Sequence, residues 1–353
     1  MIISRTPFRI SFFGGGTDYP VWYRQHGGTT LATTIQRYCY ITCRWLPPFF
    51  EHSSRVVWSK IELVKNRDQI EHPSVRECLR YLEIGQGIEI HHDGDLPART
   101  GLGSSSSFTV GLLHALYGLK GVMPSKMQLA QDAIHVEQER LQENVGSQDQ
   151  AAAAFGGFNR MDFRRDGSIE VSPVLADPAR LRLLQDHLML IYTGVSRTAS
   201  DIAAEQVKAT NSKQTELSTM QQMVEEAIAI LQSGSSLLPF GQLLHEGWEL
   251  KRSLTRSISN SGIDGLYETA RRAGAVGGKL LGAGGGGFLL LFVRPEDQPS
   301  VRESLNGNLQ VPVEFENSGS RIIFYDSDGY LPGSAKRRPA SVRTADPAKV
   351  VEA

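Results

Sequence analysis

The segment Leu96-Pro-Ala-Arg-Thr-Gly-Leu-Gly-Ser-Ser-Ser-Ser107 joins a glycine- and serine-rich loop to the apolar run from Phe108 to Leu119. Pro97 and Gly101 disfavour a helix before the loop, and Gly103 allows a positive φ or the close approach of a ligand. Beyond the loop, apolar residues recur at helical spacing and predict a largely buried helix. They are Val110, Leu112, Leu113, Leu116 and Leu119.

A helix that starts in this loop would point its first unpaired N–H groups into the loop. These groups and the helix dipole attract anions, most often phosphate, and the serine hydroxyls could add donors or ligate magnesium. The segment lacks both the Gly-Lys-Ser/Thr of a P-loop and the G-x-G-x-x-G of a dinucleotide site. An ordinary loop with a serine N-cap would have similar residues, so this segment alone leaves both interpretations open.

The composition is that of a globular protein with one large or two ordinary domains. The chain has 353 residues and a formal net charge of -1, so we expect no electrostatic binding to nucleic acid or to an acidic membrane. Cys39, Cys43 and Cys78 have no metal-binding spacing and indicate free thiols in a reducing compartment. We expect no signal peptide, and no apolar run approaches the roughly 20 residues that span a bilayer, so we expect a cytoplasmic protein.

Two further glycine-rich segments accompany the serine loop. A strand predicted from Ile2 to Phe13 leads into Gly14-Gly15-Gly16-Thr17-Asp18-Tyr19-Pro20, where the bare backbone would let a ligand approach closely. Arg9 lies inside that strand and needs a partner, either a carboxylate or a phosphate. The segment Lys279-Leu-Leu-Gly-Ala-Gly-Gly-Gly-Gly-Phe288 contains four consecutive glycines, which predict tight backbone packing against a loop or a phosphate.

The order of the predicted elements, strands first and helices later, indicates an α+β fold. We expect residues 178–184 to be a short connection near a domain boundary, and residues 311–316 and 321–325 to form a closing pair of strands. Other strands are predicted at 28–45, 56–64, 87–91, 158–163, 169–174, 187–192 and 289–293, and helices at 73–82, 124–142, from 199, and at 218–231, 238–254 and 265–273.

One carboxylate differs from the many glutamates that precede it. Asp149 lies within Asn144-Val-Gly-Ser-Gln-Asp-Gln150 and opens the small-residue run from Ala151 to Ala154. A carboxylate that leads into so apolar a segment is expected to be partly buried, and burial of a charge without a role is costly.

In their order and separation, the segments at 9–20, 97–107 and 279–288 resemble the three motifs of the GHMP kinases, a family that includes galactokinase, homoserine kinase and mevalonate kinase. The resemblance covers about residues 1–330. It implies an α+β GHMP kinase fold with an S5-domain-2-like N-terminal domain, here 1–178, and a ferredoxin-like C-terminal domain, here 179–333. The active site would lie in the cleft between them. We expect residues 334–353 to be a disordered tail.

The first glycine segment resembles the sugar 1-kinase branch of this family, and within it the kinases that act on D-glycero-D-manno-heptose 7-phosphate. The resemblance then implies ATP and Mg2+ as cofactors and a heptose 1,7-bisphosphate as product, on the route to GDP-activated heptose for surface polysaccharide. A kinase of an unphosphorylated sugar is the alternative, although fucokinases tend to carry a tryptophan where this chain has Gly16. A non-catalytic sugar or nucleotide sensor is a third possibility, which the presence of the motif residues disfavours.

The resemblance also assigns roles. Asp149 would accept or orient the proton of the anomeric hydroxyl, and Arg9 would stabilise charge on the moving phosphoryl group. Magnesium would be held by Ser105 or Ser104 with Glu137 or Glu139, of which Glu137 is preferred. The substrate set is Gly14, Gly15, Gly16, Thr17, Asp18, Arg197, Gly284 and Gly285, and the ATP set is Arg99, Thr100, Gly101, Leu102, Gly103, Ser104, Ser105 and Ser106.

Three further expectations concern partners. Adenine contacts are expected within residues 45–66. The phosphate of the acceptor would need a basic pocket, for which four residues are candidates by charge alone: Arg197, Lys208, Lys251 and Arg252. We expect a small-molecule sugar phosphate as partner, no nucleic acid, no membrane, and a possible homodimer.

Overall fold

The computed structural model describes residues 1–85, 87–195 and 199–326, without the side chains of residues 199–201. The strands are β1 (Ile2–Phe13), β2 (Gly28–Trp45), β3 (Ser54–Val57), β4 (Ile61–Val64), β5 (Ile88–Gly94), β6 (Phe158–Phe163), β7 (Ile169–Pro173), β8 (Leu188–Tyr192), β9 (Ala275–Leu280), β10 (Phe288–Val293), β11 (Gln310–Val311), β12 (Phe315–Glu316) and β13 (Arg321–Tyr325).

The helices alternate with groups of these strands. They are α1 (Pro20–His26), α2 (Pro73–Tyr81), α3 (Ser104–Leu119), α4 (Lys126–His135), α5 (Gln148–Phe155), α6 (Pro178–Asp186), α7 (Ala199–Ala209), α8 (Gln214–Gln232), α9 (Leu238–Leu254), α10 (Ser261–Arg272) and α11 (Gln298–Ser304).

The first sheet is built around β1 and β2, which pair antiparallel along most of their length. Its order is β13-β1-β2-β5-β3-β4, with β6 and β12 also paired to β2, and β7 paired to β6. Helix α3 packs on β1 and β2. Gly111 permits this approach, because a β-carbon there would lie 2.8 Å from Thr6 Oγ1. Val110 and Leu116 are fully buried on α3, which confirms the predicted buried helix.

The second sheet has the order β11-β8-β10-β9. Along the chain its elements run strand, helices, strand, strand, helix, strand, from β8 to β11. That sequence of elements and the spatial strand order 4-1-3-2 match the ferredoxin-like arrangement. The α+β class and the ferredoxin-like second domain are therefore confirmed.

The chain returns to the first sheet after leaving the second. Strand β12 pairs with β2 and β13 pairs with β1, both antiparallel. The prediction that residues 311–316 and 321–325 form a pair of strands is therefore wrong. Val311 ends β11, which pairs with β8, residues 315–316 form β12 on β2, and residues 321–325 form β13 on β1. The domain boundary at residue 178 stays a prediction.

Two local predictions were also wrong. Residues 178–184 are not a connection but belong to α6, which starts with Pro178 after the N-cap Asp177, whose Oδ1 accepts a hydrogen bond from Ala179 N at 2.7 Å. Residues 56–64 are not one strand but the hairpin β3–β4, which pairs Val57 with Ile61. Among the helices in the described ranges, none is long and apolar enough to cross a membrane.

Candidate active site

The serine loop and the late glycine run lie against each other, backbone to backbone. A β-carbon on Gly101 would lie 2.4 Å from the carbonyl oxygen of Leu281, and one on Gly282 would lie 2.4 Å from Gly101 Cα. Phe288 N donates to Thr100 O at 3.1 Å. Only glycine fits these contacts, and both Gly101 and Gly282 have positive φ. The predicted tight backbone packing is confirmed, and it joins the two sheets at this point.

The other glycines of the late run have the same property. A β-carbon on Gly284 would lie 2.7 Å from Ile258 Cα, and Gly285 N donates to Ile258 O at 2.8 Å. A β-carbon on Gly286 would lie 2.6 Å from the carbonyl oxygen of Val195. The run is therefore held by the serine loop at Gly282 and Gly287, and by backbone from the C-terminal half of the chain at Gly284 to Gly286.

Arg9 and Asp149 form the ion pair at the centre of the site. Arg9 Nε and Nη2 donate to the two carboxylate oxygens of Asp149 at 2.7 and 2.6 Å, and Arg9 Nη1 donates to Gly101 O at 2.6 Å. Arg9 is only 4% exposed, whereas a quarter of the Asp149 side chain stays accessible. A bidentate pair of this kind fixes the carboxylate in place and leaves its outer side open to a reactant.

Asp18 lies next to this pair and is almost fully buried. Its Oδ1 accepts from Gly16 N at 2.9 Å, and its Oδ2 faces Gln148 N at 3.5 Å. Burial, reinforced by the charge of Asp149, raises the pKa of Asp18 to about 6. The turn before Asp149 is shaped to Asp18, because a β-carbon on Gly146 would lie 1.7 Å from Asp18 Oδ2.

Helix α3 begins at Ser104, and its N-cap Gly103 is left-handed with φ 73°. Ser106 Oγ donates to Glu137 Oε2 at 2.8 Å, and Gln150 Nε2 donates to the same oxygen. Ser104 Oγ instead accepts from Arg99 N at 3.2 Å. The serine that contacts Glu137 is therefore Ser106 and not Ser104.

Of the two glutamates considered for magnesium, the structure favours Glu137. Glu137 is fully buried, at a π-helical turn (Val136–Arg140) that follows α4. Glu139 and Ser105 are exposed. The π turn explains why spacing could not separate the two candidates, because it changes which side chains of the segment face inward.

The two carboxylate oxygens of Glu137 have different surroundings. Within the described part of the chain, its Oε1 is buried without a hydrogen-bond partner, and burial raises the pKa of Glu137 to about 7. A carboxylate beside serine hydroxyls suits Mg2+, which prefers oxygen ligands and keeps several waters. The described residues contain no cluster of three or more His, Cys, Asp or Glu that could hold a metal.

Two buried lysines support the cleft: Lys279, which was assigned no role from the sequence, and Lys251, which was considered there only for the acceptor phosphate. Lys279 Nζ donates to Phe12 O at 2.7 Å, which ties β9 to the end of β1. Lys251 Nζ donates to the carbonyl oxygens of Leu280 and Gly282 in the late glycine segment. Burial lowers the pKa of Lys251 to about 8. The position of Lys279 directly before the glycine run was the available sequence signal.

An aromatic cluster lies one helical turn from the serine loop. Phe108, four residues after Ser104 on α3, stacks on His72 with ring centroids 4.7 Å apart. Trp58 packs edge-on against His72 at 4.9 Å and is half-buried. No group in the described ranges forms a hydrogen bond with the buried Nδ1 of His72. Trp58 falls within the range where adenine contacts were expected.

The basic residues considered for the acceptor phosphate differ in their surroundings. Arg197 lies outside the described residues. Lys208 is exposed, Lys251 is buried under the glycine segment, and Arg252 forms ion pairs with Glu249 and Asp264.

Comparison with known proteins agrees with this arrangement. Residues 73–157 match the model of the GHMP kinases N terminal domain, and residues 223–310 match that of the GHMP kinases C terminal domain. The chain is 27% identical over 315 residues to the D-glycero-alpha-D-manno-heptose 7-phosphate kinase of Campylobacter jejuni, covering 86% of this chain and 93% of that protein. It is 25% identical to the L-fucokinase/L-fucose-1-P guanylyltransferase of Bacteroides fragilis, covering 88% of this chain but 37% of that longer protein.

Solved structures show the same fold. A D-glycero-D-manno-heptose 1-phosphate kinase from Bacteroides thetaiotaomicron superposes with a TM-score of 0.74 at 24% identity, covering 93% of this chain and all of that one. The galactokinase of Lactococcus lactis, complexed with galactose, gives a TM-score of 0.71 at 19% identity over 91% of this chain and 94% of that one. The chain therefore belongs to the GHMP kinase family and carries both of the family's domains.

Proposed function

We propose that this protein transfers the γ-phosphate of ATP to the anomeric hydroxyl of D-glycero-D-manno-heptose 7-phosphate and forms the 1,7-bisphosphate. The observation that carries the proposal is the Arg9–Asp149 pair, whose accessible carboxylate lies under the joined glycine loops. Phosphoryl transfer needs a placed hydroxyl and positive charge around the phosphates, and this pair offers a group for each. The similarity to the Campylobacter jejuni heptose 7-phosphate kinase over most of both chains supports this acceptor.

ATP would bind with its phosphates at the start of α3. The N–H groups of the first turn have no side-chain cap there, because the N-cap is the left-handed Gly103. Residues 99–106 and the Gly282–Gly286 backbone would surround the phosphates. The half-buried indole of Trp58 offers a flat apolar surface for adenine, next to the Phe108–His72 stack.

The acceptor sugar would lie between Asp18 and Asp149. Asp149 takes the proton of the anomeric hydroxyl while the oxygen of that hydroxyl bonds to the γ-phosphorus of ATP. The bond between this phosphorus and the β,γ-bridging oxygen breaks, and ADP leaves. Arg9 holds Asp149 and compensates negative charge that develops on the phosphoryl oxygens. Asp18 and the Gly14–Thr17 backbone would bind other sugar hydroxyls.

Glu137, with the hydroxyls of the first turn of α3, would hold Mg2+. When bound, the ion would neutralise phosphate charge and orient the triphosphate. The chain's own contribution is a buried carboxylate, with one oxygen already fixed by Ser106 and Gln150 and the other unpartnered.

The experiment is ATP consumption against D-glycero-D-manno-heptose 7-phosphate, mannose, fucose, galactose and mevalonate. We expect kcat/KM to be highest for the phosphorylated heptose. A preference for fucose or another free sugar would keep the mechanism but replace the acceptor, and turnover with none of them would contradict the proposal. A heptose 1,7-bisphosphate would fit a role in GDP-heptose and surface polysaccharide synthesis in the cytoplasm.

A further inference from the structure

Strand β1 and helix α5 are joined by two successive side-chain contacts. Arg9 and Ser11 are two residues apart on β1, so their side chains lie on the same face of the strand. Arg9 pairs with Asp149, and Ser11 Oγ donates to Gln148 Oε1 at 2.7 Å. The second contact lies further along β1, towards the glycine loop that begins at Gly14.

This second contact fixes the amide of Gln148 in one orientation. The oxygen is engaged by Ser11, and the backbone N–H of Gln148 faces Asp18 Oδ2 at 3.5 Å. The amide nitrogen then faces Gly15, because a β-carbon on Gly15 would lie 3.8 Å from Gln148 Nε2. Among the described residues, no protein group accepts a hydrogen bond from this nitrogen, although Gln148 is only 9% exposed.

The nitrogen itself is not fully enclosed by protein, so its two N–H groups can donate to water or to a bound molecule that replaces the water. The position of the amide indicates what that molecule would be. Gln148 directly precedes Asp149, beside which the attacking hydroxyl is proposed to lie, and the backbone N–H of Gln148 faces Asp18. A sugar that reaches both carboxylates would therefore also lie near the Gln148 side chain.

We propose that Gln148 is a specificity-determining residue that donates from Nε2 to a hydroxyl oxygen of the acceptor sugar. This rests on the proposed function and assigns a partner to one part of that site. Ser11 is then a positioning residue, because it does not contact the sugar itself but orients the Gln148 amide that does. A site built to bind a hydroxyl discriminates against an analogue that lacks it, since the protein group is left unpaired.

The test combines Gln148→Met with monodeoxy analogues of whichever sugar the wild-type protein phosphorylates best, each lacking one non-anomeric hydroxyl. We expect Gln148→Met to raise the KM of the full acceptor about 10-fold, the value of one hydrogen bond. The KM of ATP should stay unchanged and kcat should change less than KM. For one of the deoxy analogues, the wild type should show a similar increase in KM relative to the full acceptor. With that analogue, Gln148→Met should not increase KM any further.

Two controls separate this role from a structural one. Gln128→Met alters a glutamine on α4 that donates to Asp132 away from the cleft, and it should leave every acceptor KM unchanged. Ser11→Ala frees the amide to rotate and should give a smaller loss that disappears in the Gln148→Met background. Ser11→Ala also keeps the test decisive if Gln148→Met fails to fold.

The outcomes distinguish this inference from the proposed function. The increases in KM from Gln148→Met and from a missing hydroxyl could simply multiply for every analogue. Gln148 would then contact none of the hydroxyls, and the inference would be overturned while the kinase assignment stands. The same holds if Ser11→Ala leaves all acceptor KM values unchanged. If the wild-type protein phosphorylates no sugar, the proposed function itself has failed, before any variant is examined.

Discussion

Arg9 and Asp149, 140 residues apart in the chain, meet through two parallel hydrogen bonds of 2.7 and 2.6 Å. The third guanidinium nitrogen holds the carbonyl oxygen of Gly101 in the serine loop. One buried side chain therefore connects the proposed base with the proposed phosphate loop. A shift of β1 would move both Asp149 and the serine loop. The position of the attacking hydroxyl and the position of the ATP phosphates would therefore depend on each other.

Asp149→Asn should lower kcat by at least about 100-fold, because general base catalysis typically contributes 10²–10⁴-fold. ATP affinity, measured by calorimetry, should change little, since the carboxylate is not proposed to touch the nucleotide. Asp166→Asn is the matched control, because Asp166 caps an exposed turn through Ser168. Turnover by Asp149→Asn at the wild-type rate would show that this carboxylate is not the base.

Asp18 should make acceptor binding depend on pH. Its pKa is raised to about 6 by burial and by Asp149, and only the ionised form can accept charge-assisted hydrogen bonds from sugar hydroxyls at both oxygens. The KM of the acceptor should therefore rise as pH falls below 6, and this dependence should disappear in Asp18→Asn. An acceptor KM that is flat between pH 5 and pH 7 in the wild type would contradict the assigned role.

The same carboxyl group should cost stability at neutral pH. The unfolded chain loses this proton near pH 3.8 and the folded protein near 6, so its favourable contribution is complete below pH 3.8 and is lost as pH rises through 6. Asp18→Asn should then raise the free energy of unfolding at pH 7 by at most roughly 3 kcal/mol. Urea unfolding at pH 7 and at pH 4 measures this, and an equal effect at both values would refute it.

Glu137 should control the magnesium requirement. Its pKa of about 7, raised by burial, means that protonation below pH 7 removes a ligand, so kcat at limiting Mg2+ should fall there. Glu137→Gln should raise the half-saturating Mg2+ concentration at least about 10-fold, because even the loss of a residue that only hydrogen-bonds to a metal ligand typically lowers metal affinity by that factor. The exposed Glu139 provides the control: Glu139→Gln should behave as wild type, and the reverse pattern would reassign the ligand.

Two alanine variants separate the energetic effect of the contact between the glycine loops from the effect of backbone strain. Gly101 and Gly121 both have positive φ, of 81° and 72°, but only Gly101 has another backbone within reach. Gly121→Ala should therefore cost only the left-handed strain of about 1–2 kcal/mol. Gly101→Ala should cost more and should also weaken ATP binding. Equal unfolding free energies for the two variants would mean that the loops do not depend on close packing.

Periodicity and glycine placement predicted the frame of this protein well. Strand Ile2–Phe13, helix Leu238–Leu254 and strand Arg321–Tyr325 have the predicted bounds, because each has a strong apolar pattern between clear end signals. The three glycine segments together indicated the family, since their conjunction requires several close backbone approaches at once.

Other features could not be predicted from local sequence. The pairing of β12 and β13 with the first sheet depends on partners about 280 and 320 residues earlier in the chain. The π turn at Val136–Arg140 decides which glutamate is buried, and no local pattern marks it. The contacts of Gln148 and Lys279 depend on how β1 packs against α5 and β9, which the local sequence does not specify.

The position of the new phosphate is the measurement that tests the account most directly. The protein would be incubated with ATP, Mg2+ and D-glycero-D-manno-heptose 7-phosphate, and the product examined by phosphorus–proton correlation NMR. We predict a second phosphorus resonance coupled to the anomeric proton, absent with Asp149→Asn. A phosphate on any other carbon, or release of ADP with inorganic phosphate alone, would contradict the account.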